Sequence, residues 1–350
     1  MHMYTKHRVQ HFWKLFLEHE ADLKDALKYQ NSISLQRIEI TLKEFLKKTS
    51  GCGVEFDYDG DFYELSFTPS GDKNAQLICD LLVKDAPKSL QQDWIINPYR
   101  MPLSNRAYQA TLKCDNVEIS GADLYVYYQI NEAMHALDLK VYCEKWKNFD
   151  MDLKERITAY FLELFIGELE LEARIASIEI IDQRSDEDDV VLLPNLFEDI
   201  CDIVADQEWV EYTSPLSIFS VYKLDEVPQN QTLRHDMKMI LTRHPLLSEQ
   251  LLRKEDEVIR DFRALGADFG YLYYEKRYQD EKEALVRQEL ERQLHDLLYE
   301  MSIAYVIGGA IGETYSYIDL AIYDKDALMI VIEKLQEQLN FDIYFKTFIA

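Results

Sequence analysis

The run Asp268-Phe-Gly-Tyr-Leu-Tyr-Tyr274 begins the stretch that decides the fold. A charged amphipathic segment at 280–300 follows it, then Ile303-Ala-Tyr-Val-Ile307 and Tyr315-Ser-Tyr-Ile-Asp-Leu-Ala-Ile-Tyr323. Asp324 caps a segment with Leu328, Val331, Ile332 and Leu335 on one face, and Phe341-Asp-Ile-Tyr-Phe-Lys-Thr-Phe348 closes the stretch. Period-two runs rich in tyrosine and β-branched residues read as strands, and spacings of three and four read as helices. The order β-α-β-β-α-β predicts a ferredoxin-like arrangement. Gly308-Gly309-Ala310-Ile311-Gly312 reads as a glycine-bearing bend between two paired strands. An added strand and helix at about 235–264 precede the pattern, with Pro245 at the helix start and Gly266 as its cap.

Upstream, residues 9–28 and a segment ending near Gly51 predict two amphipathic helices. Val54–Tyr58 and Phe62–Phe67 flank Asp59-Gly60, which predicts a hairpin with positive φ at both turn positions. A helix at 72–85, strands between Trp94 and Trp146, a helix at 152–166 and a strand at 169–181 complete an α+β layout on a mainly antiparallel sheet. The acidic run Ser185–Asp189 reads as a solvated loop, and a domain boundary is placed near residue 200. The expected organisation is an N-terminal α+β domain over 1–200 and a ferredoxin-like domain over 206–350.

A chain of 350 residues with 64 acidic and 38 basic side chains carries a formal charge of −26. That excess argues against nucleic-acid binding and against docking on an anionic membrane. Cut at residue 200, the halves carry −14 (22 basic, 36 acidic) and −12 (16 basic, 28 acidic), so the acidity reads as spread over the whole surface. No apolar run reaches membrane-span length and the N-terminus lacks a signal-peptide core. Cys52, Cys79, Cys114, Cys143 and Cys201 are odd in number and widely spaced. They read as free thiols in a reducing cytoplasm, with no metal site and no cofactor.

Phe12–Phe16, Leu82–Pro87 with Trp94, and Tyr160–Leu162 before Gly167 are similar to the N-terminal domain of an uncharacterised bacterial two-domain family. Arg234 and Asp236, Leu265–Ala267, Gly308–Gly312 and Tyr317–Asp319 resemble its other domain. The resemblance implies two bacterial cytosolic domains and supplies no activity.

The candidate ligand-binding residues are Gly308, Gly309, Gly312, Tyr317, Asp319, Arg234 and Asp236. Glycines clear space for a phosphate when they follow a strand and open a helix. Here the next element reads as a strand, and no Lys-Ser/Thr follows. Asp319 is an acid between Ile318 and Leu320, either buried or on an open sheet face. In a strand, Arg234 and Asp236 share a face, whereas His235 and Asp236 do not meet. No catalytic motif such as G-x-S-x-G or H-E-x-x-H occurs. The expected function is a non-enzymatic protein-interaction module for a basic protein, of which an antidote or immunity protein is one version. The alternative is a small-molecule sensor or enzyme with its site near Gly308–Gly312 and Asp319.

Overall fold

The computed structural model describes residues 4–103, 110–114, 116–185, 190–224, 234, 236–279 and 282–348. Asp186–Asp189 of the acidic run and His235 lie outside the described residues. The chain divides into two compact units, one made of 1–98 with 219–350 and the other of 99–218. The break therefore does not fall near residue 200. The N-terminal helices belong with the C-terminal sheet, and residues 99–218 are inserted in the sequence between them. Short-range periodicity cannot reveal such a return of the chain.

The first unit starts with α1 (Thr5–Lys28), α2 (Ser32–Thr49), β1 (Gly53–Tyr58), β2 (Tyr63–Thr68), α3 (Lys73–Lys84) and β3 (Trp94–Asn97). Asn31 and Asp72 cap α2 and α3 by accepting from backbone N–H groups of their first turns. β1 and β2 pair antiparallel, Tyr58 opposite Tyr63, and β3 adds parallel to β2. Only Gly60 in the hairpin loop has positive φ (111°). The loop spans four residues because the Asp59 carboxylate accepts from the N–H groups of Asp61 and Phe62, both at 2.8 Å. Phe12, Trp13, Phe16, Phe67 and Trp94 bring their rings together, and the Trp13 indole donates to Leu82 O at 2.8 Å.

The second unit contains β4 (Thr111–Cys114), β5 (Val117–Ser120), β6 (Leu124–Asn131), β7 (Ala136–Cys143), α4 (Met151–Arg174), β8 (Ile175–Ile180), β9 (Val190–Leu192) and α5 (Leu196–Asp206). Its four-stranded sheet has the order β8-β7-β6-β9. Ile157, Phe161 and Phe165 of α4 pack with Val126, Leu139 and Val141 of the sheet and with Leu196 and Ile200 of α5. The strand expected at 169–181 begins only at Ile175. α4 passes through a kink at Gly167 (φ 77°), where a Cβ would stand 2.7 Å from the Pro102 ring and 2.9 Å from its backbone nitrogen.

The first unit resumes with β10 (Ser220–Lys223), β11 (Met237–Thr242), α6 (Pro245–Arg253), α7 (Glu257–Ala264), β12 (Asp268–Glu275), α8 (Lys282–Glu300), β13 (Ala304–Gly312), β14 (Tyr315–Ile322), α9 (Lys325–Gln338) and β15 (Tyr344–Thr347). The added segment is thus two short helices, broken where Lys254 turns left-handed (φ 63°). The six-stranded sheet runs β10-β11-β13-β14-β12-β15, every pair antiparallel. Leu290, Leu294 and Leu298 of α8 and Leu328, Val331 and Ile332 of α9 cover Leu272, Val306, Ile318, Leu320 and Ile322. Elements from both ends of the chain reach the other face. There the Tyr323 hydroxyl donates to Leu77 O at 2.9 Å, and Phe262 stacks on Phe269 at 4.2 Å. The whole is α+β, and no described helix is long and apolar enough to cross a membrane.

Gly308–Gly312 is not a bend. It is the second half of β13, paired with β11 on one side and β14 on the other, with a register shift between Val306 and Gly308. The reversal falls at Glu313 and Thr314. A glycine-rich stretch in a sheet centre is hard to distinguish from a loop by sequence, because the partners that crowd it are remote.

Candidate functional site

The structure brings the candidate residues together around the middle of β13 and β14, and closes them. Arg234, 2% exposed, directs Nη1 at both oxygens of Asp319, at 2.6 and 2.5 Å. Asp319 is 4% exposed, so it is a buried acid and not a residue of an open sheet face. Burial pushes its carboxyl up and the Arg234 guanidinium opposes that shift. The guanidinium also lies over the rings of Phe348 and Tyr317, at 5.4 and 5.8 Å.

Asp236 is wholly engaged. Its Oδ2 accepts from the backbone N–H groups of Thr314 and Tyr315 at 2.7 and 2.9 Å. Its Oδ1 accepts from the Tyr317 hydroxyl. The Asp236 carbonyl takes the Glu313 N–H at 2.9 Å, so one residue holds the β13–β14 reversal at four points. Burial, and donation to Asp236, raise the Tyr317 phenol.

The glycines fit this network, and the space a ligand would need is filled. A Cβ on Gly312 would stand 2.3 Å from Asp236 Oδ1. One on Gly309 would stand 2.0 Å from Tyr317 O and 2.7 Å from Arg287 Nη1. Gly308 has φ 132° and lies hard against the backbone of Leu241 and Thr242. These residues make an internal ion pair and a turn tether.

The acidic excess is densest in the second unit. Residues 99–218 hold 10 basic and 25 acidic side chains, a net −15, against 28 and 39, a net −11, for the longer first unit. The acidity is therefore concentrated and not uniform, as the cut at residue 200 had implied. Glu198, Asp202 and Asp206 project along one exposed side of α5, with Glu208, Glu211 and the 63% exposed Val210 following it. The field is felt by neighbouring groups. Burial and then Glu170, Asp202, Glu198 and Glu211 push the Cys201 thiol up. Burial pushes the Asp199 carboxyl up, the Tyr128 hydroxyl opposes, and Asp202 and Glu198 add to the rise. The spacing of 198, 202 and 206 is a helical-face signal that the sequence contains and that the candidate set omitted.

The tyrosine excess has a structural outlet. Tyr271, Tyr273, Tyr317 and Tyr344 pack ring to ring across β12, β14 and β15. Lys346 lies over the Tyr273 ring at 5.2 Å. No disulfide joins any of the five cysteines, and no group of metal-ligating side chains occurs among the described residues. Comparison of the chain with models of protein families, with curated proteins and with solved structures gives no match in any of the three.

Proposed function

We propose that the protein is a non-enzymatic, cytoplasmic interaction module that captures a basic protein through the second unit. The observation that carries this reading is the net −15 on residues 99–218, with the exposed carboxylates Glu198, Asp202 and Asp206 aligned on α5. A concentrated acidic face accelerates encounter with a basic partner and fixes its orientation. An antidote or immunity protein for a basic toxin is the concrete form of this reading. The resemblance to a bacterial two-domain family, which rests on its motifs, accords with it. So does the engagement of Arg234 Nη1, Asp236 and Asp319 in internal bonds.

The ferredoxin-like reading of 268–348 belongs to the same proposal. Its supports are the strand order β15-β12-β14-β13 and the common apolar cluster of α8 and α9 on one face. In this reading the first unit is a scaffold.

The test is capture from native lysate at low and high salt, with wild type and with Glu198→Lys/Asp202→Lys/Asp206→Lys. The expected result is a partner of high isoelectric point retained by wild type, released by salt, and lost with the variant. Retention of the same proteins by both chains would refute the assignment.

A further inference from the structure

A second constellation of ionisable groups lies in the first unit, one residue beyond β11, and the network around Asp319 does not use it. Arg243 follows Thr242, and its backbone N–H donates to Ile307 O at 2.8 Å. Its Nη1 donates to the Tyr305 hydroxyl at 2.7 Å, and its guanidinium lies over the Phe219 ring at 4.4 Å. Glu291, His295 and Tyr299 recur every fourth residue and so share one face of α8. The His295 ring lies 4.8 Å from that of Tyr305 and stacks on Tyr299 at 5.3 Å. Burial, then the charge of Asp80 from α3, raises the Tyr299 phenol.

Three polar atoms in this cluster are buried and have no hydrogen-bond partner: Arg243 Nε, His295 Nδ1 and Asp80 Oδ2. They come from three different elements. Buried polar groups are normally satisfied, so three orphans in one neighbourhood, gathered around Arg243 and Tyr305, call for an occupant. The Nη1 bond to Tyr305 leaves Nε, on the edge by which guanidinium takes oxyanions side-on, without an acceptor. Asp80 Oδ2 asks for a donor. Phe219, Tyr299 and Tyr305 supply apolar walls. The environment is unlike that of exposed groups. Burial, then Arg243, lowers His295, and burial raises the Asp80 carboxyl against Tyr299, Lys84 and Arg243. Burial pushes Glu291 up to about 7.

We propose that Arg243, Asp80 and His295 form a binding site for a small carboxylate bearing a neighbouring hydroxyl or ammonium group. The carboxylate accepts from Arg243 Nε, and the hydroxyl or ammonium donates to Asp80 Oδ2. His295 Nδ1 bonds the remaining polar atom, and the tyrosine rings flank the carbon skeleton. The site is independent of the acidic face on α5, so either assignment can fail alone.

Calorimetric titration of the full chain with acetate, glycolate and glycine tests it. Glycolate and glycine are expected to bind at least about tenfold more tightly than acetate, the usual value of a hydrogen bond to a charged partner. Arg243→Lys keeps the charge but loses Nε, and is expected to abolish binding of all three. Asp80→Asn is expected to reduce glycolate and glycine to the level of acetate. Thermal melts of both variants check that the fold persists. No binding of any probe to wild type, equal affinity for acetate and glycolate, or undiminished binding to folded Arg243→Lys would overturn the proposal.

Discussion

His244 caps α6 and is held in one tautomer by its two neighbours. Asn74 donates its amide N–H to Val258 O at 3.0 Å, which leaves Asn74 Oδ1 as an acceptor. His244 Nε2, 3.0 Å from that oxygen, must carry the proton, and Nδ1 accepts from the Leu247 N–H at 3.2 Å. Protonating Nδ1 would break the cap in a buried place. Burial, then the charge of Lys73, pushes the imidazole down to about 3. Between about pH 3 and the ordinary value near 6.5, the unfolded chain therefore binds a proton that the folded chain refuses. The stability this provides is complete above pH 6.5 and is lost as pH falls through the window. At full protonation the loss is on the order of 5 kcal/mol. Denaturant unfolding across this range is expected to be steeper for wild type than for His244→Asn, which still caps but does not titrate. Equal slopes would show that His244 is not the group responsible.

At the scale of elements, the glycines are the sharpest case. Gly309→Ala places a methyl against the Tyr317 carbonyl, and Gly167→Ala places one against Pro102 at a left-handed kink. Each is expected to cost about 1–3 kcal/mol, read as a fall in melting temperature. An unchanged melt for Gly309→Ala would mean that the strand can shift, and would reopen the question of space there. The elements of 268–348 were legible because each carries its own period, two for β12 and β14 and near four for α8 and α9. The hairpin around Gly60 was legible for the same local reason. What the sequence could not display is who crowds a glycine. Gly312 faces Asp236, and Arg234 finds Asp319 across 85 positions of chain. The extension of α4 beyond Gly167 was hidden because a glycine there reads as a stop, whereas helical backbone resumes after one left-handed residue. Arg243, Asp80 and His295 carry no shared motif at all, and only folding collects them.

The whole molecule is cut differently from the way its sequence invites. Residues 99–218 carry their own apolar cluster and their own sheet. Expressed alone, this segment is expected to be soluble and to unfold in a single cooperative transition. A chain of 206–350 is expected to aggregate. It lacks Leu77, Asn74 and the rest of α3, which cover Tyr323 and His244. Far-UV dichroism and denaturant melts of the two pieces decide the matter. A well-folded 206–350 would restore a boundary near residue 200. The same division explains why charge counted on either side of residue 200 looked even. That cut assigns α5 to both halves and adds the less acidic start of the chain to the acidic insert.

The interruption of the first unit also sets an order of events during synthesis. Residues 99–218 are complete as soon as they leave the ribosome. The first 98 residues must wait for a sheet whose last strand ends only at Thr347. At about 5–20 residues per second that delay is on the order of 10–50 s. During it α3 lacks the partners that its Leu77 carbonyl finds in Tyr323 and its Asn74 side chain finds in His244 and Val258. Nascent chains halted after residue 218 should therefore carry a finished acidic segment tethered to a sticky, unfinished one, and should be the species that chaperones hold.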